Sequence, residues 1–306
     1  MKEQIDNYLS YLKNELSSSQ NTVAAYRNDL GQFYRFISEP ARVPLGVIST
    51  NGLVPTDWTE VTRTNLVAFL NHLGERQYTT TSIARKTAAV KSFFRYLTDQ
   101  ALIRDDPAER LEPPKVRKTP PRSLTQAQVS QLLALPASSD RIEALRDNAM
   151  LQTLYATGMR VSEMVALNVE DVDQNGTVRC IGRGGRERLI PLGESARQAL
   201  GAYMNGTRNA IVRSKEEQAL FVNHRGVRLT RQGFWLILKN YARKAGLSED
   251  ITPQTLRHSI AVHLLKNNAD LKSIQELLGH ASITTTQVYV QVAADGQQEE
   301  HVPAKA

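Results

Sequence analysis

Through the first 112 residues, apolar positions recur every three or four places. Ile5, Tyr8, Leu9, Leu12 and Leu16 carry this spacing, which is that of an amphipathic helix. Tyr26, Leu30, Phe33, Tyr34 and Ile37 mark a second helix, with Thr22 placed to cap it. Leu66, Phe69, Leu70 and Leu73 mark a third, and Ile83, Val90, Phe93, Phe94 and Leu97 a fourth. A loop rich in Pro, Gly and Ser covers roughly residues 39–58. Strand signals are nearly absent, so residues 1–112 read as a small bundle of four or five helices.

The pattern then breaks. Residues 113–122, Pro113-Pro-Lys-Val-Arg-Lys-Thr-Pro-Pro-Arg122, hold four prolines and four positive charges with no acid. Such a stretch is an extended linker. A second domain, residues 123–306, opens with Ser123-Leu-Thr125 as a cap. A helix is expected over about Asp140–Thr157, stopped by Gly158. Thr177–Ile181 and Arg188–Pro191 flank Gly182-Arg-Gly-Gly185, which predicts a β-hairpin with a basic, glycine-rich tip. Further helices are expected near 195–205, 230–245, 253–267, 270–278 and 283–291, with a polar, loose tail after Ala293. The fold class is mainly α with a small antiparallel sheet.

Composition narrows the function. A hydrophobic content of 41% is ordinary for a globular protein. No apolar run approaches the roughly 20 residues needed to span a bilayer. The polar start, Met1-Lys-Glu-Gln-Ile-Asp6, is unlike a signal peptide. Cys180 is the sole cysteine, which excludes an internal disulfide and any cysteine-based zinc site. No membrane association is expected, and a reducing cytoplasm fits. The net charge of +7 favours a polyanionic partner. Residues 1–114 balance at 13 basic and 13 acidic, so the excess lies in residues 115–306, with 25 basic against 18 acidic. Within the first domain, Arg76, Arg85, Lys86, Lys91 and Arg95 run without an intervening acid up to Tyr96. That run is either a solvated helix face or a nucleic-acid contact.

The last fifth of the chain carries the candidate chemistry. Thr252-Pro-Gln-Thr-Leu-Arg-His-Ser259 is followed by Leu277-Leu-Gly-His280 and then by Tyr289. Upstream stands Gly158-Met-Arg-Val-Ser-Glu163. Together Arg160, Arg257, His280 and Tyr289 suit attack of a phenol on a phosphodiester. The nucleophile must be fixed, the added charge on the phosphorane met by placed donors, and the leaving 5′ oxygen protonated. A phenol has an ordinary pKa near 10, so it needs positive charge nearby. Arginine's planar fork matches two phosphate oxygens. His280 can donate to a phosphate oxygen or exchange a proton with Tyr289. Glu163, one turn past Arg160, either orients that arginine or is an ordinary first-turn glutamate. Zinc and P-loop patterns are missing: His258 and His263 lack a matching carboxylate motif, and the hairpin tip lacks the Gly-Lys-Ser/Thr ending. No metal or other cofactor is expected.

These stretches together resemble the tyrosine recombinases of the phage-integrase superfamily, and within them the bacterial Xer-type recombinases. Ala156-Thr-Gly-Met-Arg-Val-Ser-Glu163, Ile181 to Leu192, Thr252 to Ser259, and Leu278 to Tyr289 resemble the family's catalytic boxes in order. Ser19 to Tyr26, with Asp29-Leu30, is similar to the opening of its helical core-binding domain. The resemblance implies that Arg160 and Arg257 clamp phosphate, that His280 is the second histidine and that Tyr289 is the nucleophile. It also implies a C-shaped clamp on double-stranded DNA, a homo- or hetero-tetramer on two sites, a covalent 3′-phosphotyrosine and a Holliday junction.

Two positions depart from the family pattern. Arg183 stands where the hairpin usually has a lysine, and Gln254 stands where the helix box usually starts with histidine. Arginine holds its proton too tightly to release it readily, and glutamine cannot shuttle one. Reduced cleavage is therefore expected, each such loss being roughly 10²–10⁴ in rate. The competing readings are a DNA-binding relative without cleavage, an integrase of a mobile element, and an unrelated basic helical regulator. The last needs neither Tyr289 nor paired arginines. Arg85, Lys86, Lys91, Arg95, Lys115, Arg117, Lys118, Arg231 and Lys239 are the candidate DNA contacts, with the fourth helix and the helix near 230–245 entering major grooves.

Overall fold

The computed structural model describes residues 1–39, 55–116, 120–139, 141–214 and 216–299, and for residues 138, 183 and 295–299 the backbone alone. Two compact units result, Met1–Lys118 and Thr119–Ala306. Most of the expected 39–58 loop, together with Arg117 and Lys118, lies outside the described residues.

In the first unit the helical periods become α1 (Lys2–Asn14), α2 (Gln20–Ser38), α3 (Arg63–Glu75) and α4 (Thr80–Asp99). The cap of α2 is Ser19 rather than Thr22: its hydroxyl accepts from the Thr22 backbone N–H at 3.1 Å. Thr22 thus sits inside the first turn, and its own hydroxyl pairs with Ser19 at 2.8 Å. The apolar stripes meet in an aromatic core of Tyr8, Phe33, Trp58, Phe69, Phe93 and Phe94. Trp58 and Phe93 pack edge to face with centroids 4.9 Å apart, the arrangement that ring quadrupoles favour. The Trp58 indole N–H donates to the Met1 carbonyl at 3.0 Å, satisfying the one polar atom of a buried ring.

The second unit holds α5 (Gln126–Ala134), α6 (Ala144–Thr157), α7 (Val161–Ala166), β1 (Thr177–Ile181), β2 (Glu187–Pro191), α8 (Glu194–Ala202), α9 (Asn209–Ile211), α10 (Arg231–Lys244), α11 (Pro253–Lys266), α12 (Leu271–Leu278) and α13 (Ile283–Glu299). A π-helical turn, Tyr203–Arg208, joins α8 to α9. It points the Tyr203 hydroxyl at the Leu220 carbonyl, 3.1 Å away. The helix before Gly158 begins at Ala144 instead of Asp140, and Ile142 is exposed, so no buried face exists upstream to extend it. Helix α13 runs to Glu299, past the expected end near 291. The short α7 has no counterpart in the sequence periods, since six residues show less than two turns of pattern.

β1 and β2 pair antiparallel with Val178 opposite Ile190 and Cys180 opposite Arg188. Alternation then sends Val178, Cys180 and Ile190 into the core, while Leu189 and Ile181 face outward. α6 lies against α8 and α11, and α13 packs on α11 and α12. Tyr289 belongs to a small core with Ala261, Val262, Ile274 and Leu278 at that junction.

Candidate active site

The site grows from the ends of helices. Gly158 closes α6 in the left-handed conformation at φ +55°. A Cβ there would meet Leu278 Cδ2 at 2.7 Å, so glycine alone lets α6 approach the end of α12. Arg160 follows two residues later as the N-cap of α7. Its backbone N–H donates to Glu163 Oε2 at 2.7 Å and its Nη1 to Glu163 Oε1 at 3.0 Å. Its side chain stays 39% exposed, so it is oriented but open.

Glu163 is the hub of this cluster. Arg188, on the inward phase of β2, also donates to it, Nη2 to Oε2 at 2.8 Å and Nη1 to Oε1 at 3.3 Å. Arg188 Nε reaches the Leu277 carbonyl at 3.0 Å. Burial pushes the Glu163 carboxyl up, but the hydrogen bond from Arg188, that from the Arg160 amide and both guanidinium charges outweigh it. The net shift is downward, so the carboxylate is ionised at neutral pH. Glu163 thus bonds Arg160 and a second arginine, Arg188.

Arg257 sits one turn inside α11, whose start at Pro253 is capped by the Thr252 hydroxyl. It is 1% exposed. Its Nη1 donates to the Gly158 carbonyl and its Nη2 to the Leu278 carbonyl at 2.5 Å. One guanidinium thereby ties the C-terminal ends of α6 and α12 together. Burial, reinforced by the Arg160 charge, lowers its pKa to about 10. The group is still cationic at pH 7.

Helix α12 ends at Gly279, φ +63°, where a Cβ would meet Arg188 Nη1 at 2.9 Å. His280 follows. Its Nδ1 pairs with the buried Thr286 hydroxyl at 2.9 Å, and its ring stacks on that of Tyr289 with centroids 6.3 Å apart. Burial, then the Arg257 and Arg160 charges, push its pKa down to about 4.

Tyr289 is 3% exposed. Its hydroxyl meets Nδ1 of His258 at 2.8 Å, so the polar partner of the phenol is His258 and not His280. Burial raises the phenol above its ordinary pKa, while Arg257 and then Arg160 pull it back part of the way. Desolvation wins in the free protein, against the activation that neighbouring cations were expected to give. His258 is pushed down to about 4 by burial and by Arg257. Both histidines are therefore neutral at pH 7.

A cavity of about 910 Å³ opens onto Arg160, Arg186, Arg188, Lys272, Gly279 and His280. Four cations border it, together with Glu187 and Glu276. Arg160 also borders a second cavity, of about 510 Å³, shared with Gln254, Arg231 and Trp235. Gln254 is exposed at the start of α11. The backbone of Arg183 lies in the hairpin tip.

The basic residues singled out by charge separate into different environments. Lys86 is 2% exposed, with Nζ bonded to Asp29 at 2.9 Å and to Gln32 at 2.6 Å. It belongs to the core of the first unit and is removed from the DNA-facing set. Lys91 donates to the carbonyls of Glu109 and Leu111, at 3.0 and 2.8 Å, which fastens the end of that unit. Arg85 pairs with Asp29 yet keeps 44% of its side chain exposed. Arg95, Lys115 and Arg231 are exposed, and Lys239 lies 5.1 Å over the Trp235 ring. A basic cavity of about 430 Å³ joins Arg35, His72, Arg76, Tyr78 and Arg85.

Sequence reasoning missed His258 and Arg188. A signal existed for each. Arg257, His258 and Ser259 interrupt a helix that is apolar on several sides, and polar groups buried there must pair. Arg188 shares the inward phase of its strand with Ile190.

Among the described residues no helix is long and apolar enough to cross a membrane. Among them, too, no group of three or more His, Cys, Asp or Glu could hold a metal ion.

Comparison with known proteins adds an independent line. Residues 122–295 match the phage integrase family, and residues 5–101 match the phage integrase N-terminal SAM-like domain. Tyrosine recombinase XerC of Roseiflexus castenholzii is 49% identical over 304 residues, covering 98% of this chain and 92% of the relative. Tyrosine recombinase XerD of Oceanobacillus iheyensis is 39% identical, covering 94% and 93%. Among solved structures, XerA recombinase aligns over 99% of both chains at 27% identity with a TM-score of 0.52. The post-cleavage complex of XerH with a palindromic difH substrate aligns over 98% of this chain and 84% of that one, at 19% identity and a TM-score of 0.74, a likeness of fold. The reduced cleavage expected from Arg183 and Gln254 gains no support from these matches.

Proposed function

This chain belongs to the phage integrase family as a Xer-type tyrosine recombinase, an enzyme that breaks and rejoins DNA strands, and from that premise we propose that Tyr289 is its nucleophile. The Tyr289 oxygen attacks a backbone phosphate, forms a 3′-phosphotyrosine bond and releases a 5′ hydroxyl. Arg160 and Arg257 meet the phosphate charge, Glu163 holds Arg160 to its task, and His280 donates to a phosphate oxygen. An aryl phosphate is itself a good leaving group, so the reverse attack reseals the strand without ATP. The observation that supports this reading is electrostatic: Tyr289 feels the Arg257 and Arg160 charges together, and it stacks on His280, which with Arg160 lines a cavity.

The partner is double-stranded DNA bearing a specific recombination site. Two such sites are bridged by four protomers, and the reaction separates joined chromosome or plasmid copies in the cytoplasm. In the first unit, Arg35, Arg76, Arg85 and Arg95 contact phosphates. In the second, Arg183 at the hairpin tip hydrogen-bonds the leaving oxygen, and Arg231, Trp235 and Lys239 border the bases.

A duplex nicked beside the scissile phosphate tests the assignment, its site taken from duplexes that this chain selects from a random pool. Loss of the short 5′ fragment traps the covalent adduct. The expected result is a protein–DNA band that survives denaturation and vanishes in Tyr289→Phe with binding retained. An adduct that persists in Tyr289→Phe would overturn the choice of nucleophile.

A further inference from the structure

The reading just given leaves the phenolic proton without an acceptor. Gln254 cannot take it. His280 is turned away, with Nδ1 engaged by Thr286 and its ring face on the tyrosine. We propose that His258 accepts the Tyr289 proton as the phenol attacks phosphorus.

Geometry carries this inference, which rests on Tyr289 being the nucleophile. His258 Nδ1 lies 2.8 Å from the Tyr289 oxygen, within the range required of a general base. Positions 254 and 258 are four apart on α11, so they share one helix face, one above the other. A histidine at 258 restores, one turn along that face, the proton chemistry that glutamine removes at 254. His258 is only partly buried while Tyr289 is 3% exposed.

The proton and bond changes balance as follows. The Tyr289 oxygen forms a bond to phosphorus while its proton passes to Nδ1 of an imidazole that carries its own proton on Nε2. The bond from phosphorus to the 5′ oxygen breaks, and a water molecule protonates that oxygen. The hydroxide left behind takes the proton from the imidazolium. The net result moves one proton from the phenol to the 5′ hydroxyl.

Transfer ahead of attack is unfavourable, because burial holds the phenol above its ordinary pKa and the imidazole near 4. The two events are therefore coupled. DNA assists them, since a phosphate beside Arg257 offsets the positive field that weakens the imidazole.

The test measures single-turnover adduct formation by the full chain on the nicked duplex. One version of the substrate carries ordinary phosphate. The other has sulfur in place of the bridging 5′ oxygen, a leaving group that needs no proton. His258→Asn should slow adduct formation about 10²-fold on the first and by a similar factor on the second. Adding Gln254→His to His258→Asn should recover about tenfold. Retained DNA affinity shows that the variants fold, and His258→Gln provides a second variant if the first does not. An unchanged rate in a folded His258 variant overturns the proposal. So does a defect that disappears with the sulfur substrate, since that assigns His258 to the leaving group. An adduct formed by Tyr289→Phe sinks the underlying reading instead, and so is told apart from failure of this one.

Discussion

Both units bury charge, but they use it differently. In the first, Asp29 and Lys86 form a buried ion pair, with side-chain exposures of 0% and 3%, that Arg85 joins from the surface. Nothing reactive lies beside it, and it fixes how α2 and α4 meet. In the second, Glu163 and Arg257 are buried and Arg188 partly so, with Arg188 bonded to Glu163 and both arginines bonded to backbone carbonyls. There the same device positions a half-open arginine and a phenol. Buried charge by itself is thus silent on function. Its meaning depends on what stands next to it: beside Glu163 and Arg257 lie a half-open arginine, two histidines and a phenol.

Replacing Arg257 should break that contrast most severely. Arg257→Ala removes the proposed phosphate clamp and takes a guanidinium donor from two buried carbonyls. Adduct formation on the nicked duplex should fall at least about 10³-fold, and urea unfolding should show a loss of about 2–3 kcal/mol. Asp29→Ala in the first unit should cost comparably, about 3–5 kcal/mol, because it strands the Lys86 charge. The rate per folded molecule should be unchanged there, which adduct yield normalised to DNA-bound protein would reveal.

Acid sharpens the comparison further. His258 and His280 have folded pKa values near 4, below the ordinary histidine range. Between about pH 6.5 and pH 4 the unfolded chain binds protons that the folded one refuses. Stability of the second unit should therefore fall as pH drops through this window, and His258→Asn should flatten the slope. Thermal unfolding recorded across the window would check it. The smallest effect belongs to the exposed cations. Arg76→Ala or Arg95→Ala should leave stability within about 0.5 kcal/mol and reduce the salt slope of DNA binding by about 1, as measured by titration at several salt concentrations.

The helical character of both units was legible because α1, α2, α3 and α4 each have enough turns to repeat their apolar stripe. The hairpin was legible from two short stretches flanking the glycine-rich Gly182–Gly185 turn. Helix α7 was not, being too short to repeat. The far end of α13 was hidden by its polar composition. In the site, Arg160, Arg257, His280 and Tyr289 stood out through their neighbours in sequence, but what each one touches did not. Tyr289 and His258 are 31 residues apart and meet only because α13 packs on α11. Lys86 misled for a related reason. Its charge suggested a surface, while its position on α4, one residue before the buried Thr87, turned it inward. Its acidic partner, Asp29, lies 57 residues upstream. Sequence reports residue chemistry well and long-range partners poorly.

Because Arg257 latches the ends of α6 and α12, losing it should loosen the second unit as well as impair its chemistry. A cell carrying a change there should hold fewer intact molecules. Under the proposed function, Tyr289→Phe is the opposite case: a sound body that still occupies DNA without cutting it. Defects at these two positions should therefore differ in abundance, the first depleted and the second present but inert.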